Sequence, residues 1–380
     1  MLRGFYFSQV EKSGLGPHKK IEGQIQTFSK AGIDLELIES PFQESGIVRG
    51  NFLLRQIVCR LPFTYVYSRH IYEKRFEQAD VYYVRFLAGD RAFVRFLREL
   101  KRHNPGGRII MELADYPTTW YMNTNIWYRM VYFPIWIKDK LAARKYHKYV
   151  DRIAMLKDYK QVFGIPVIQF TNGIVVDEVK RRKAHSTPTV KIIAVAAMCV
   201  FHGYDRIIEG IHNYYANGGQ REIELHMVGG KNAPGNELAK YKALCTKYHL
   251  EDKVFFYGEK RGQELDEVYD LCNLAVSSLG MHRIGYQSAN SLKIREYLSK
   301  GLPIIGGGKV DLFDKNKFDY YYECPSDDTA IDIKRIIEFY DRIYQKPEDY
   351  GQVNDIIYNY AKRYCDMSAA LKPVIDYMKE

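Results

Sequence analysis

Short apolar segments alternate with helix-like segments along most of this chain, and that alternation limits its fold more than any other feature. The strand-like segments of the first half are residues 4–10, 33–39, 81–86, 108–113 and 167–170. After residue 188 the alternation restarts more regularly, with strand-like segments at residues 190–197, 223–228, 254–257, 274–277 and 302–305. Strands separated by helices are typical of parallel sheets with crossover helices. The sequence therefore predicts an α/β protein.

The length of the chain predicts two domains, because 380 residues exceed what one hydrophobic core usually organises. We predict a first domain over residues 1–175, a second over residues 176–355, and C-terminal helices over residues 356–380 that pack back on the first. The polar stretch at residues 180–188 is the best candidate for a linker. Two Rossmann-like domains would face each other across a cleft, where open sheets bind ligands at the carboxyl ends of their strands.

The basic residues are concentrated in the first half of the chain, which carries a net charge of +10 as a whole. Residues 1–170 hold 27 Lys and Arg against 16 Asp and Glu, whereas the remaining residues hold 29 against 30. A one-sided basic surface attracts an anionic partner, such as lipid head groups, nucleic acid or a phosphorylated substrate.

The sequence lacks the marks of a secreted or membrane-spanning protein. No run reaches the roughly 18 apolar residues of a spanning helix, and residues 1–10 resemble a strand and a charged loop more than a secretory signal. The six cysteines are scattered without CxxC or Cys/His spacing. That scatter is typical of reduced thiols and not of disulfides or a zinc site. We therefore expect a cytoplasmic protein.

The segment SANSLKIREYLSKGLPII at residues 288–305 carries the clearest chemical pattern. Asn290 or Ser291 can cap a helix, which leaves the first amide groups of the helix free for an anion. Lys293 lies in the first turn, where a cation opposes the helix dipole by about 0.3–1 kcal/mol, so its position suits a bound phosphate better than it suits stability. Glu296 lies one turn further on the same face and can accept hydrogen bonds from ribose or sugar hydroxyls. The alternative is a solvated helix with a Lys293–Glu296 surface pair.

This segment resembles the donor-binding signature of GT-B glycosyltransferases, especially the retaining family 4. Further segments follow in the order that the family shows: FTNGI at residues 170–174, VAAMCVFHGYD at residues 195–205, ELHMVGG at residues 224–230 and VFFYG at residues 254–258. The form SLKIREY at residues 291–297 is similar to capsule and exopolysaccharide members. The resemblance implies a GT-B fold and transfer of a hexose from a nucleoside-diphosphate sugar.

The resemblance also implies roles for individual residues. Lys293 and the amides at Asn290 and Ser291 would hold the donor diphosphate, and Glu296 would bind ribose or sugar hydroxyls. The other donor-binding candidates, which fall in matching motifs, are His202, Tyr297 and Asn172. We expect no metal ion and no other cofactor, because a helix terminus with a lysine can neutralise the diphosphate and no paired Asp-x-Asp occurs in the expected place.

Two positions depart from the family pattern. Ser288 stands where the family often has the first of two glutamates, and His202 stands where it has a lysine. These departures keep two other hypotheses open. One is a catalytically weakened protein that binds a nucleotide sugar or a partner, and the other is a nucleotide-sugar epimerase.

Two motifs of the first half complete the predicted site. In the loop SGLGPH after the first strand, Gly14 and Gly16 would let backbone amides approach a phosphate or the acceptor; an ordinary βα turn is the alternative. The motif ELADYP at residues 112–117 resembles the E-x-x-D-x-P of polysaccharide-assembling members. It makes Asp115 the candidate that orients or deprotonates the acceptor hydroxyl, with Glu112 behind it, unless Asp115 only caps the turn. Together with Glu296 these two carboxylates are the catalytic candidates.

Residues 120–149 hold all three tryptophans and six basic residues. Aromatic residues interleaved with cations suit a segment that rests on anionic lipid; packing in the core of the first domain is the alternative. No nucleic-acid module is recognisable, so nucleic acid is not an expected partner. The predicted protein is a glycosyltransferase of surface polysaccharide biosynthesis, peripheral on the inner face of the membrane, with a saccharide or lipid-linked acceptor.

Overall fold

The computed structural model describes residues 1–8, 16–39, 78–86, 89–113, 116, 126–230, 236–286 and 291–380. These residues form two compact units. The first unit is Met1–Gly173 together with Met367–Glu380, and the second is Ile174–Asp366. Residues 180–188 lie inside the second unit, where Arg182 is buried and donates a hydrogen bond to Asn273 Oδ1 at 3.0 Å. This stretch is therefore not a linker between the units.

The first unit contains a seven-stranded sheet. Its strands are β1 (Leu2–Ser8), β2 (Ile33–Glu39), β3 (Val81–Phe86), β4 (Arg108–Leu113), β5 (Arg152–Met155), β6 (Gln161–Val162) and β7 (Ile165–Gln169). The strand order is β2-β1-β3-β4-β5-β7-β6, and all neighbours are parallel except β6 and β7. All six residues of β3 are buried, as expected for a central strand of a parallel sheet covered on both faces. Among the described residues, the α-helices before the second unit are α1 (Gly16–Lys30), α2 (Arg91–His103) and α3 (Ile126–Ala143).

The second unit contains a six-stranded sheet in which every neighbouring pair is parallel. Its strands are β8 (Val190–Ala196), β9 (Ile223–Gly229), β10 (Val254–Gly258), β11 (Leu274–Val276), β12 (Ile304–Gly307) and β13 (Tyr321–Cys324), in the order β10-β9-β8-β11-β12-β13. Its helices are α4 (Tyr204–Ala216), α5 (Glu237–Tyr248), α6 (Gln263–Leu271), α7 (Leu292–Ser299), α8 (Asp311–Lys315), α9 (Ile333–Ile343) and α10 (Asp349–Tyr364). Aliphatic side chains of the strands and apolar side chains of the surrounding helices form its core.

The last helix, α11 (Met367–Lys379), belongs to the first unit although it follows the second in the chain. It packs against α1 and β7 and buries Leu371, Val374 and Met378 completely. Arg108 at the start of β4 donates a hydrogen bond to the carbonyl of Met378 at 2.6 Å. The returning segment begins at Met367 and not at residue 356, because α10 remains part of the second unit.

Candidate functional site

Helix α7 carries the predicted donor site, and Ser291 is the N-cap residue that precedes it. Ser291 has an extended backbone (φ −86°, ψ 148°), and its side chain makes no capping hydrogen bond. Its Oγ is buried and has no hydrogen-bond partner within the part of the chain that the structure describes. Ile294 and Leu298 fix the helix to the core, and Gly301 ends it with a positive φ of +73°. The start of α7 thus presents a polar side chain and amide groups to a ligand; Asn290 lies outside the described residues.

Lys293 lies in the first turn of α7 and contacts a tyrosine of helix α4. Its Nζ donates a hydrogen bond to the Tyr204 hydroxyl at 3.3 Å and lies 5.7 Å from the centre of that ring. In the described ranges no carboxylate comes within ion-pair distance of Nζ. Burial lowers the pKa of Lys293 to about 7, against smaller opposing effects of Cys199 and Glu296. A nearby anion would stabilise the charged form of such a lysine strongly, because little water is present to do so.

Glu296 lies one turn after Lys293 and is oriented by a tyrosine of another helix. The Tyr269 hydroxyl donates a hydrogen bond to Glu296 Oε1 at 3.2 Å. Tyr269 is buried on α6, and Lys300 Nζ lies 4.9 Å from the centre of its ring. No described group hydrogen bonds to Oε2 of Glu296, so that oxygen can accept hydrogen bonds from hydroxyl groups.

Tyr297 is placed in the core of the second unit. Its side chain is fully buried, and its hydroxyl accepts a hydrogen bond from the Val195 amide at 2.9 Å and lies 3.3 Å from the carbonyl of Val276. These contacts fasten α7 to the carboxyl ends of β8 and β11. The geometry therefore gives Tyr297 a scaffolding role, and a direct contact with the donor stays a prediction.

His202 is a neutral hydrogen-bonding residue and not a substitute cation. Its Nδ1 accepts a hydrogen bond from the Cys199 amide at 2.8 Å, which places the hydrogen of the neutral ring on Nε2. Burial, reinforced by Lys293, lowers the pKa of His202 to about 2. The ring stacks on Tyr204 with centroids 5.6 Å apart. His202 can thus donate a hydrogen bond to a phosphate oxygen but brings no positive charge.

Gly203 explains the tight turn that follows His202. Its φ is +61°, and a Cβ at this position would lie 2.6 Å from the amide nitrogen of Gly280. The turn directs α4 so that Tyr204 reaches Lys293. Asp205, the next residue, binds both terminal nitrogens of Arg283, at 2.9 and 2.6 Å.

In the first unit, Glu112 is the centre of a buried polar cluster. Its Oε1 lies 2.5 Å from Arg85 and 3.4 Å from Lys20, and its Oε2 accepts hydrogen bonds from Tyr83 at 2.7 Å and Gln24 at 3.0 Å. The side chain is fully buried. Burial alone would raise its pKa, but Arg85 and Lys20 outweigh that effect and lower the pKa of Glu112 to about 2.

Sheet register explains why this cluster forms. Arg85 on β3 pairs with Ser8 on β1 and with Glu112 on β4, so the three residues lie side by side at the carboxyl ends of their strands. Lys20, from the second turn of α1, also donates a hydrogen bond to Asn172 Oδ1 at 2.9 Å. The structure therefore joins Glu112 and Asn172 through one lysine.

Some predicted residues have a described position and others do not. Gly16 begins α1. Gly14 and Asp115 lie outside the described residues, so their roles stay predictions. Asn172 accepts a hydrogen bond from Lys20 in the first unit, and its predicted role beside the donor stays a prediction. In the described part of the chain no group of His, Cys, Asp and Glu side chains could hold a metal ion.

Sequence reasoning missed several residues of these sites: Tyr204, Tyr269, Lys20, Arg85, Tyr83 and Gln24. Tyr204 had a signal, because it belongs to the HGYD segment that was aligned with the family. Lys20 also had one, as a basic residue near the start of a helix. Arg85 lies in a strand of apolar and aromatic residues, where an isolated arginine indicates a buried partner. Tyr269 had none, because only tertiary packing brings it to Glu296.

The comparisons with known proteins fit this architecture. Residues 175–330 match the family model described as glycosyl transferases group 1. A glycosyltransferase from Rickettsia africae ESF-5 has a TM-score of 0.60 at 11% identity, with 100% of this chain and 98% of that chain covered. HepE of Anabaena, solved in complex with UDP, has a TM-score of 0.60 at 10% identity, with 100% of both chains covered.

A third solved structure gives the same picture. Sucrose-phosphate synthase from Thermosynechococcus elongatus has a TM-score of 0.59 at 13% identity, with 99% of this chain and 98% of that chain covered. No curated protein has a matching sequence. At these identities the structural likenesses establish the fold and nothing finer.

The chain has two α/β units, each built on a mainly parallel sheet, and glycosyltransferase structures match it over its whole length. This architecture defines the GT-B class and confirms the predicted fold class. The family match lies within the second unit, where residues 175–330 are similar to the glycosyl transferases of group 1. The chain is accordingly a glycosyltransferase that takes its sugar from a nucleotide-sugar donor, as the sequence predicted.

Proposed function

We propose that this enzyme transfers a hexose, with retention of anomeric configuration, from a nucleoside-diphosphate sugar to a saccharide or lipid-linked acceptor. The second unit binds the donor and the first unit binds the acceptor. The pathway is surface polysaccharide biosynthesis, as in capsule-type relatives, and the enzyme works at the cytoplasmic face of the membrane. Retention, the acceptor and the pathway come from the family resemblance.

The environment of Lys293 is the main observation that supports donor binding by the second unit. A lysine that is partly buried, lies in the first turn of a helix and lacks a carboxylate partner in the described residues destabilises the free protein. A donor diphosphate supplies the missing negative charge. The Ser291 hydroxyl and the amides at the start of α7 provide hydrogen-bond donors for the same oxygens.

The chemistry follows from where charge develops. The bond between the sugar C1 and the diphosphate oxygen breaks, and a new bond forms between C1 and the acceptor oxygen. The leaving diphosphate gains negative charge during this step, so protonated Lys293 stabilises the transition state more than the ground state. Glu296 holds ribose or sugar hydroxyls through the oxygen that Tyr269 leaves open.

The acceptor part assigns Glu112 a supporting role. Glu112 is fully buried and fixed by four partners, so it keeps the carboxyl end of β4 in place. Asp115, three residues on, is proposed to orient the acceptor hydroxyl or take its proton. The leaving phosphate is the other group that can accept this proton in a retaining enzyme.

A thermal-shift screen against UDP-, GDP-, dTDP- and CMP-linked sugars tests the donor site first. A donor at about 100 times its dissociation constant adds about 2.7 kcal/mol to the free energy of unfolding. We expect a shift with one nucleotide class, lost in Lys293→Met and Glu296→Gln and kept in the surface control Lys334→Met. Absence of a shift with every donor would contradict this assignment and favour the hypothesis of a weakened binding protein.

Product analysis separates the remaining hypotheses. Release of free nucleoside diphosphate and sugar, without an acceptor, supports the transferase, because water replaces the acceptor slowly in such sites. An epimeric nucleotide sugar with no diphosphate released would support the epimerase instead.

A further inference from the structure

Helix α3 (Ile126–Ala143) has apolar side chains on two opposite faces. One face, with Ile135, Ala142 and Ala143, is buried in the first unit. The other face carries large apolar side chains that are exposed, which we call the apolar stripe: Ile126 (61% exposed), Met130 (61%), Phe133 (53%), Ile137 (37%) and Leu141 (55%). Steps of three or four residues put all five on one side of the helix. A helix on the surface of a soluble protein normally has polar side chains there, so the apolar stripe indicates a partner.

The surroundings of the apolar stripe are cationic. Between residues 126 and 150 the only acidic residue in the sequence is Asp139. Its carboxylate is buried and accepts a hydrogen bond from the Gly89 amide at 2.8 Å. The exposed cations of the same stretch include Lys140, Arg144, Lys145 and Lys148. The exposed surface of this stretch therefore has apolar and positive groups without a negative one.

We infer that the apolar stripe docks on a membrane surface rich in anionic phospholipid, with the helix lying in the plane of the interface. Apolar side chains enter the boundary of the acyl chains while neighbouring cations contact the lipid phosphates. The described part of the chain contains no helix long and apolar enough to cross a membrane. Contact with a single leaflet surface accounts for both the length of α3 and its composition.

Charge distinguishes the lipid surface from a second copy of this chain. A symmetric dimer through the apolar stripe would bring the cations of two copies close together without a compensating acid. An anionic lipid surface neutralises them instead. The inference rests on the proposed function only for the reason why docking is useful, which is access to a membrane-bound acceptor.

Co-sedimentation of the full chain with vesicles tests the inference. We expect binding to phosphatidylcholine vesicles that contain phosphatidylglycerol and little binding to pure phosphatidylcholine. The double variant Phe133→Ser and Ile137→Ser should lower the partition coefficient by at least about tenfold. Removing two cations, with Lys140→Gln and Lys145→Gln, should lower it by about tenfold or more at low salt, with a smaller effect as salt rises.

The matched control is Ile356→Ser, which removes a side chain that is 50% exposed in the second unit. This variant should bind vesicles like the wild type. All of the altered residues are exposed, so unchanged thermal unfolding and unchanged hydrolysis of a soluble donor show that the enzyme itself is intact. Loss of vesicle binding with hydrolysis retained would support the apolar stripe whatever the acceptor is.

Two results would overturn the inference. One is vesicle binding that does not change in the Phe133→Ser and Ile137→Ser variant. The other is a dimer in solution that this variant converts to a monomer, with no vesicle binding in either form, because a second copy would then cover the apolar stripe. If no donor binds in the thermal-shift screen, both results can still be interpreted, because vesicle binding needs no donor.

Discussion

The Tyr269 hydroxyl donates a hydrogen bond to Glu296 Oε1 over 3.2 Å, and this contact ties α6 to the helix that carries Lys293. Glu296 is therefore not a free surface carboxylate. One oxygen is fixed by Tyr269, and the orientation of the other follows from it. A carboxylate held in this way can bind two neighbouring hydroxyls with little loss of side-chain entropy.

Tyr269→Phe should weaken donor binding by about tenfold, because a hydrogen bond to a charged group contributes about 1.5–3 kcal/mol. The ring remains, so packing against Tyr297 is kept. Measuring KM and kcat for the donor checks this. KM should rise, and kcat should change little. Tyr360→Phe, which loses a hydrogen bond to the Asn316 carbonyl, is the matched control and should leave KM unchanged. Equal values of KM in both variants would show that Tyr269 does not position Glu296.

Donor affinity should fall as pH rises above about 7. The pKa of Lys293 is lowered to about 7 by burial, so the free protein holds a neutral lysine at higher pH. Binding of the diphosphate favours the charged form and must then take up a proton, which weakens affinity by up to tenfold per pH unit. Titrations between pH 6 and 9 measure this slope. Lys293→Arg should bind with no such slope, since arginine stays charged, and a slope that persists in this variant would exclude Lys293 as its source.

The same lysine predicts the opposite trend for the stability of the free protein. Its pKa is lower in the folded state than the roughly 10.4 of an unfolded chain. Between these two values the unfolded state binds the extra proton, so the free energy of unfolding should rise with pH from about 7 to 10. Denaturant unfolding of the wild type and Lys293→Met, compared across this range, isolates the contribution. A constant difference between the two proteins would contradict the lowered pKa.

Glu112→Gln should destabilise the first unit by about 3–5 kcal/mol, because Arg85 and Lys20 would be left buried without their carboxylate. The pKa of Glu112 is lowered to about 2, so its contribution is fully present above the unfolded value of about 4.3. The contribution is lost as pH falls through the folded pKa. Urea unfolding at neutral and acid pH measures the free energy of unfolding of both proteins. The difference between wild type and variant should become smaller toward pH 2. Glu99→Gln on α2 should show a much smaller loss, because the arginines that pair with Glu99 are exposed and keep their hydration.

Gly203→Ala should destabilise the second unit and abolish donor binding. A methyl group would lie 2.6 Å from the Gly280 nitrogen and would also occupy a positive φ. Gly218→Ala separates the two effects, because Gly218 has a φ of +79° but open space around it. We expect about 1 kcal/mol for Gly218→Ala and clearly more for Gly203→Ala. A similar loss of stability in both variants would show that the turn at Gly203 can relax away from Gly280.

Much of the fold follows from local pattern. The predicted segments at residues 33–39, 81–86 and 108–113 coincide with β2, β3 and β4. β3 and β4 are mostly apolar runs, as expected for buried parallel strands, whereas the edge strand β2 alternates apolar and acidic residues. The short strand β5 and the strand β13 were not predicted. Each has only four residues, and β13 carries mixed tyrosine, glutamate and cysteine, so pairing with a neighbour and not its own pattern makes it a strand.

The sequence predicted the candidate site only for residues whose position along a single helix decides which way they face. Lys293 and Glu296 could be placed by their spacing on one helix, since that spacing needs no tertiary information. The neutral state of His202 could not, because it depends on burial and on a hydrogen bond from Cys199. The partners of Glu112 come from α1 and β3, which only the packing of α1 and the register of β3 against β4 bring together.

The position of α11 bears on the order in which the enzyme is made. Residues 174–366 form a contiguous unit and can close their core as soon as they leave the ribosome. The first unit lacks Leu371, Val374 and Met378 until the second has been synthesised. The half of the molecule that is translated first is thus completed last, and until α11 is made the apolar surfaces of α1 and β7 that it covers lack their packing partner, which is the kind of exposure that favours aggregation.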